Sequence, residues 1–340
     1  MNLLVTGGAG FIGSNFIIYM LNKYPEYKIV NLDLLTYAGK LENLTEVENH
    51  PNYEFVKGNV CDRELIEHLF QKYQFQGVFH FAAESHVDNS IKNPGAFVET
   101  NVNGTFTVLD VARKYWMDSP GKVKNEFKNA RFHHISTDEV FGSLGDEGYF
   151  NEESPYAPNS PYSASKAASD MLVRSYFRTY GMNVVITNCS NNFGPRQHDE
   201  KLIPTIIRKA LAGELIPIYG NGLNVRDWLF VEDHCTAIDV VYHQGKAGEL
   251  YLVGGNNEKT NIEIVDTICE ILDKAAFDKL QAFGIKSFKS LISFVDDRAG
   301  HDYRYAIDSS KLKNELMWIP RTNWYKGLVQ TIDYYLKKNI

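Results

Sequence analysis

The chain has 340 residues, 44% hydrophobic and 23% charged, with a formal charge of −7, which exceeds one small core and suits a large α/β unit with a smaller partner domain. That charge argues against a nucleic-acid surface, which needs clustered Lys and Arg to displace counterions. The four cysteines, Cys61, Cys189, Cys235 and Cys269, form no C-x-x-C pair, so neither a metal site nor a disulfide framework is expected, and a reducing compartment is.

The opening Met1-Asn2-Leu3-Leu4-Val5 has no basic region and leads straight into a strand-like run, so no signal peptide is expected. No apolar run approaches the roughly 20 residues that span a bilayer. A cytoplasmic protein with no membrane or nucleic-acid partner is the expectation. Leu3–Thr6, Lys28–Asp33, Tyr53–Val60, Gly77–Ala83, Arg131–Thr137 and Asn183–Ser190 read as buried parallel strands, with helical patterns near 11–23, 63–73, 94–116 and 161–180 between them. This rhythm predicts a doubly wound parallel sheet of the Rossmann kind, whose ligands bind beyond the carboxyl ends of the strands. After about 190 the chain turns to loops rich in Asn, Gly and Pro around a helix at 201–212. Asp227–Gln244 and Glu249–Gly255 are expected to return to the main sheet. The remainder reads as a smaller mixed α/β domain ending in an amphipathic helix with Leu328, Ile332 and Leu336 on one face. The expected division is 1–190 plus about 226–256 for the cofactor, and about 191–225 with 257–340 for the substrate.

Gly7-Gly8-Ala9-Gly10-Phe11-Ile12-Gly13 follows the first strand and opens a helix. Gly7 permits the tight turn, Gly10 lets the backbone approach a diphosphate, and Gly13 brings helix close to strand. The helix N-terminus then offers free N–H groups to phosphates. Asp33 ends the second strand 20 residues after Gly13, where it can accept from both ribose hydroxyls of NAD. A 2′-phosphate about 4 Å from that carboxylate meets a repulsion of up to ~4 kcal/mol at an effective dielectric near 20, so NAD is expected over NADP. The plainer alternative is that Asp33 only caps a loop.

Thr137-Asp138-Glu139 closes the fifth strand, and 23 residues after Glu139 comes Tyr162-Ser-Ala-Ser-Lys166. Tyr162 and Lys166 share one helical face behind the start signal Pro161. A free tyrosine titrates near 10; a nearby ammonium and a positive nicotinamide are expected to lower that value and make it a base. The Thr137 hydroxyl can bond the oxygen being oxidised. Asp138 and Glu139 are surplus to simple alcohol oxidation and point to a second step that moves protons and expels a group. Neighbours on a continuing strand face opposite ways, so both can converge only if the strand ends near Thr137 and the chain turns, as Gly142 permits. A solvated acidic turn is the alternative.

Together with Ala82-Ala-Glu-Ser-His-Val-Asp88, Asn188-Cys-Ser-Asn-Asn192 and Asp297-Arg-Ala-Gly-His301, these motifs closely resemble the dTDP-glucose 4,6-dehydratases, extended short-chain dehydrogenases that act on nucleotide sugars. The likeness runs over essentially the whole chain. It implies that Tyr162 removes the proton of the sugar 4-hydroxyl while NAD takes the hydride from C4. Glu139 would then abstract the C5 proton, Asp138 would protonate the departing 6-hydroxyl, and the hydride would return to C6. Glu139 must be ionised and Asp138 protonated when they act; raising Asp138 by about three units needs ~4 kcal/mol at 1.36 per unit, from burial and the neighbouring carboxylate.

The resemblance also implies that Phe11, Ile12, Asp33, Leu34, Leu35, Thr36, Asn59, Val60, Phe81, Ala82, Ala83, Glu84, Ser85, Thr100 and Asn192 surround NAD, with Lys166 on the nicotinamide ribose. For the nucleotide sugar it implies Ser85, Asn191, Lys201, Leu202, Pro217, Ile218, Tyr219, Arg226, Asn261, Asp297, Arg298, Ala299, Gly300 and His301, besides Thr137. Arg226 suits a diphosphate, which a guanidinium can bridge. Three departures stand out: Asn59 where the family commonly has Asp, Tyr303 where it has Arg, and Phe141 and Phe193 where tyrosines are usual. The helices near 94–116 and 161–180 would pair with a second copy, giving a homodimer, with Phe106, Val108, Leu109, Met171, Leu172 and Tyr176 as their apolar residues. Two other readings share many of these features: a nucleotide-sugar 4-epimerase, which needs neither Asp138 nor Glu139, and a silent NAD or nucleotide-sugar sensor.

Overall fold

The computed structural model describes residues 1–297 and 301–338. Alternation at period two decides how the main sheet is covered. Leu4, Val30, Leu32, Val78 and Phe132 join one apolar cluster, while Leu3, Val5, Ile29, Phe79 and Ile135 join another on the opposite face. Helices Arg63–Tyr73, Thr105–Trp116 and Pro161–Tyr180 cover the first face, and Phe11–Lys23 and Val231–Gln244 the second. A sheet buried on both faces this way is the parallel kind. Its strand order is Leu250–Val253, Val184–Cys189, Arg131–Thr137, Gly77–His80, Asn2–Thr6, Lys28–Asp33 and Tyr53–Lys57, and every pairing is parallel. The winding reverses between Asn2–Thr6 and Gly77–His80, where the ligand crevice of such sheets opens.

Two strands stop earlier than the apolar runs predict, at Lys57 and His80. The released residues 58–60 and 81–85 become loops above the sheet. The helix expected over 94–116 is broken into Pro94–Phe97, a π-helical stretch Val98–Gly104 and Thr105–Trp116. Asn101, 1% exposed, sits in that stretch. It bonds both the N–H and the C=O of Glu84, at 2.8 and 3.0 Å, and the Ser165 hydroxyl at 2.8 Å. Such π-bulges recur where a backbone serves a site.

Leu250–Val253 returns to the edge of the main sheet as expected, but Val225–Phe230 does not. It forms a three-stranded sheet, parallel to Asn191–Phe193 and antiparallel to Glu258–Thr260. The reason is aromatic: Trp228 and Phe230 pack with Phe193 and Trp324 in a second core. Helices Leu202–Ala212, Asn261–Ala275 and Trp324–Lys337 build that core, with Leu328 and Ile332 fully buried in the last and Leu336 against its rim. No helix among the described residues is long and apolar enough to cross a membrane.

Leu328→Ala should cost about 2–5 kcal/mol in urea unfolding, the usual loss for an aliphatic core truncation. Tyr325→Ala one turn away, at a side chain 49% exposed, should stay within about 0.5 kcal/mol.

Candidate active site

The first loop is shaped by close backbone approach. Gly7 has φ +70°, and a Cβ there would lie 2.6 Å from the Ala82 nitrogen; one on Gly13 would lie 2.5 Å from the Gly7 carbonyl. Helix and strand therefore close on one another as tightly as bare backbone allows, with Gly10 as N-cap of Phe11–Lys23. Asp33 stands at the next strand end. Its Oδ2 accepts from the Ala9 N–H at 2.9 Å and its Oδ1 from the Leu35 N–H at 2.8 Å. Burial lifts its carboxyl above the usual range against those two backbone donors. Each oxygen keeps a lone pair for a further donor. Asn59 has its amide oriented by the Cys61 N–H, which donates to Oδ1 at 2.9 Å.

One cavity collects Gly7, Gly10, Phe11, Ile12, Gly13, Asp33, Leu34, Thr36, Asn59, Val60, Phe81 to Ser85, Thr100 and Asn192, together with Thr137, Asp138, Glu139, Tyr162 and Lys166. Of the residues anticipated around the cofactor, Leu35 alone does not line it; it contributes its N–H to Asp33 instead. From the anticipated substrate set, Ser85, Thr137, Asn191 and Lys201 line the same space. The other described members of that set do not line it. Ile218 is 1% exposed within the second core, and Leu202 packs against that core. Pro217 is half-buried, Tyr219 is exposed with its ring 6.3 Å from that of His301, and His301 Nδ1 lies 2.6 Å from Asp297. Asn261 is the first residue of its helix. Arg298, Ala299 and Gly300 lie outside the described residues.

Arg226 is buried rather than a surface partner. Its guanidinium donates to the carbonyls of Val225, Asp302 and Tyr303 and lies 4.2 Å from the centroid of the Tyr305 ring. The sequence reading missed Gln197, His198 and Glu200, which also line the cavity. Their run, Gln197 to Lys201, is five polar residues with no apolar period, the one signal that could have singled it out.

The strand Arg131–Thr137 ends where convergence of the two acids requires. The Thr137 hydroxyl oxygen accepts the Glu139 N–H at 3.3 Å, Asp138–Phe141 forms a single 3-10 turn, and Gly142 follows with φ +89°. Both residues line the cavity. Asp138 is 1% exposed, and its Oδ2 has no hydrogen-bond partner among the described residues. Burial first, then the charges of Glu139 and Asp227, push its carboxyl well above the usual range against Arg226.

Tyr162 departs from expectation. Its phenol is pushed well above the ordinary value, by burial first and then by Glu139 and Cys189, with Thr137 working the other way. Lys166 does not lower it, because its Nζ donates to the Ile135 carbonyl at 2.8 Å and sits 3.5 Å from His134 Nε2. Burial brings Lys166 itself down to about 8. In the protein alone the phenol is a proton holder, and a positive ring beside it is what would favour phenolate.

The family model described as GDP-mannose 4,6 dehydratase matches residues 4–331. The chain belongs to that family. It is 54% identical over 333 residues to a dTDP-glucose 4,6-dehydratase of Xanthomonas campestris pv. campestris (strain B100), covering 98% of this chain and 92% of that protein. The solved dTDP-glucose 4,6-dehydratase of Bacillus anthracis str. Ames in complex with NAD superposes with a TM-score of 0.85 at 48% identity, covering 100% of this chain and 97% of that one. A UDP-glucose 4-epimerase of Thermotoga maritima, solved with UDP-glucose, matches with a TM-score of 0.84 at 27% identity over 100% of both chains.

A raised carboxyl has a thermodynamic signature. Folded protein keeps a proton on Asp138 that the unfolded chain loses above about pH 4. Stability is therefore lost as pH rises from there to the folded value, at about 1.4 kcal/mol per pH unit. Asp138→Asn removes that slope, so the variant should gain on the parent between pH 5 and 7 in urea unfolding. Parallel pH profiles would contradict a neutral Asp138.

Proposed function

We propose that this chain converts dTDP-glucose to dTDP-4-keto-6-deoxyglucose and water, as an NAD-dependent hydro-lyase of deoxysugar biosynthesis. The observation that carries the reading is the shared cavity of Asp138, Glu139, Tyr162 and Lys166 beyond the strand ends. An epimerase of the same fold needs the phenol and the lysine but has no use for two inward acids.

The glycine loop and Asp33 fit a dinucleotide: the loop admits no Cβ at Gly7 or Gly13, and a carboxylate anchored by two N–H groups favours ribose hydroxyls over a 2′-phosphate. NAD, when bound, supplies the hydride acceptor that makes C4 oxidation reversible. Tyr162 takes the 4-hydroxyl proton, with the Thr137 hydroxyl holding the same oxygen. Once C4 is a ketone the C5 proton is acidic, and Glu139, half-buried and facing the cavity, removes it. Asp138 gives its proton to the departing 6-hydroxyl, so hydroxide never has to leave. The hydride taken from C4 would return to C6 and a solvent-exchanged proton to C5, so no net oxidation results, which lets one dinucleotide serve successive turnovers. In this reading 1–190 with about 231–256 hold the cofactor, and about 191–230 with 257 onward hold the nucleotide sugar, because Val225–Phe230 belongs to the second core. Arg226 belongs to the substrate side, where moving its carbonyl partners at 302–303 would turn it toward a diphosphate.

The homodimer rests on a sorting of apolar side chains. Val108, Leu109 and Tyr176 face the core, whereas Ile91, Val98, Phe106 and Met171 are 48, 53, 42 and 57% exposed. Helices that only covered the sheet would not carry this second face.

Turnover of dTDP-glucose in deuterium oxide should give 4-keto-6-deoxy product labelled at C5. Glu139→Gln should lower that turnover by about 10²–10⁴-fold, the span of a lost general base. Release of dTDP-galactose instead would favour the epimerase. Phe106→Glu with Met171→Glu should convert a dimer to a monomer in sedimentation; a parent chain already monomeric would remove the dimer.

A further inference from the structure

Below the reacting groups, the helix Pro161–Tyr180 carries a third polar residue on the face of Tyr162 and Lys166. Asp170 comes one turn after Lys166, is 1% exposed, and is not itself one of the residues lining the cavity. Its Oδ2 accepts from the Tyr156 hydroxyl at 3.0 Å and from Asn188 Nδ2 at 3.0 Å. The same Asn188 nitrogen donates to the Thr137 carbonyl at 2.8 Å, the last residue of the strand before the two acids. On the other side, Asp170 Oδ1 lies 3.2 Å from His134 Nε2, which is in turn 3.5 Å from Lys166 Nζ.

His134 is neutral in this arrangement. Its Nδ1 is buried with no partner among the described residues, and an unpartnered N–H there would cost more than an unpartnered lone pair. Nε2 lies 3.2 Å from Asp170 Oδ1, and burial first and then Lys166 hold the ring down at about 4. A neutral ring thus stands between one buried cation and one buried anion. A buried charge without a counter-charge is expensive. The titratable groups whose charge acts with that of Lys166 are Asp170 on its own helix, His134 on the adjacent strand, Cys189 on Val184–Cys189 and His80 on Gly77–His80. Asp170 is the carboxylate among them. Burial pushes its carboxyl up, yet His134 and the Lys166 charge hold it below the usual range, so it is ionised at neutral pH.

We propose that Asp170 is a positioning residue of this site: its carboxylate supplies the counter-charge that keeps Lys166 an ammonium and, through Asn188, pins the strand end that aims Thr137, Asp138 and Glu139. The inference rests on the dehydratase reading. Asp170 acts through Lys166 and Asn188 and does not meet the substrate.

The test is the pH profile of kcat for the NAD-loaded enzyme on dTDP-glucose. In Asp170→Asn the alkaline limb should move down by about 1 unit or more, the effect of removing a nearby opposite charge, while KM changes less than about twofold. Asp170→Glu, which keeps the charge, should keep the limb. A lower kcat with an unmoved limb would mean a merely structural role and overturn the proposal. Should Asp170→Asn not fold, the parent decides: the Lys166 Cε NMR signal, assigned with Lys166→Arg, must remain that of an ammonium at pH 7, and a neutral amine there would overturn it. If the parent itself gives no dehydration product, the function has failed rather than this inference.

Discussion

A strand places neighbouring side chains on opposite faces, so two adjacent acids can work on one molecule only where the strand stops. Here it stops at Thr137, whose side-chain oxygen takes the Glu139 N–H and bends the chain into a single turn. Gly142 lets that turn close against Ala157, whose carbonyl would sit 2.5 Å from any Cβ placed there. Asn188 holds the last strand carbonyl from below. The rest of the site depends on this corner: the glycine loop and the polar helix could exist without it, but they would then serve oxidation alone.

The corner also divides labour between like groups. Asp138 turns into the protein, where burial and its neighbours keep the proton on, whereas Glu139 stays half-buried at the cavity. In the proposed reaction, two carboxyls of nearly equal intrinsic acidity would serve as acid and base because one is dry and the other is not. The same dryness works against the phenol of Tyr162, raised by burial first and then by Glu139 and Cys189. A site that favours neutral groups while empty gains a base when a positive ring arrives, which couples the first proton transfer to the presence of the cofactor.

Much of this was legible in the residues. Short continuous apolar runs such as Leu3 to Val5 gave a two-sided parallel sheet, Pro161 marked a helix start that Ser160 caps in the structure, and Gly142 flagged the corner. What could not be read depends on partners distant in sequence. The direction of the Lys166 side chain is set by Ile135 and His134, not by the four-residue spacing from Tyr162 that links them on a helix. Val225–Phe230 looked like a strand of the main sheet, but its aromatics belong with Trp324 in another core. Ile218 was drawn to the ligand by resemblance, although an aliphatic side chain beside Ile216 has a core to fill. The π-helical break at Val98–Gly104 is not announced by a change of period, and Gly104 marks only its end; its polar anchor is Asn101 reaching the Glu84 peptide.

The most direct test of the account is a crystal structure of the chain with NAD and an unreactive dTDP-hexose. The account predicts the sugar 6-hydroxyl within hydrogen-bonding distance of Asp138 Oδ2, the Glu139 carboxylate against C5, and the Tyr162 hydroxyl on the 4-oxygen of the same ring. A bound sugar with either carboxyl turned away from it would contradict dehydration at this site.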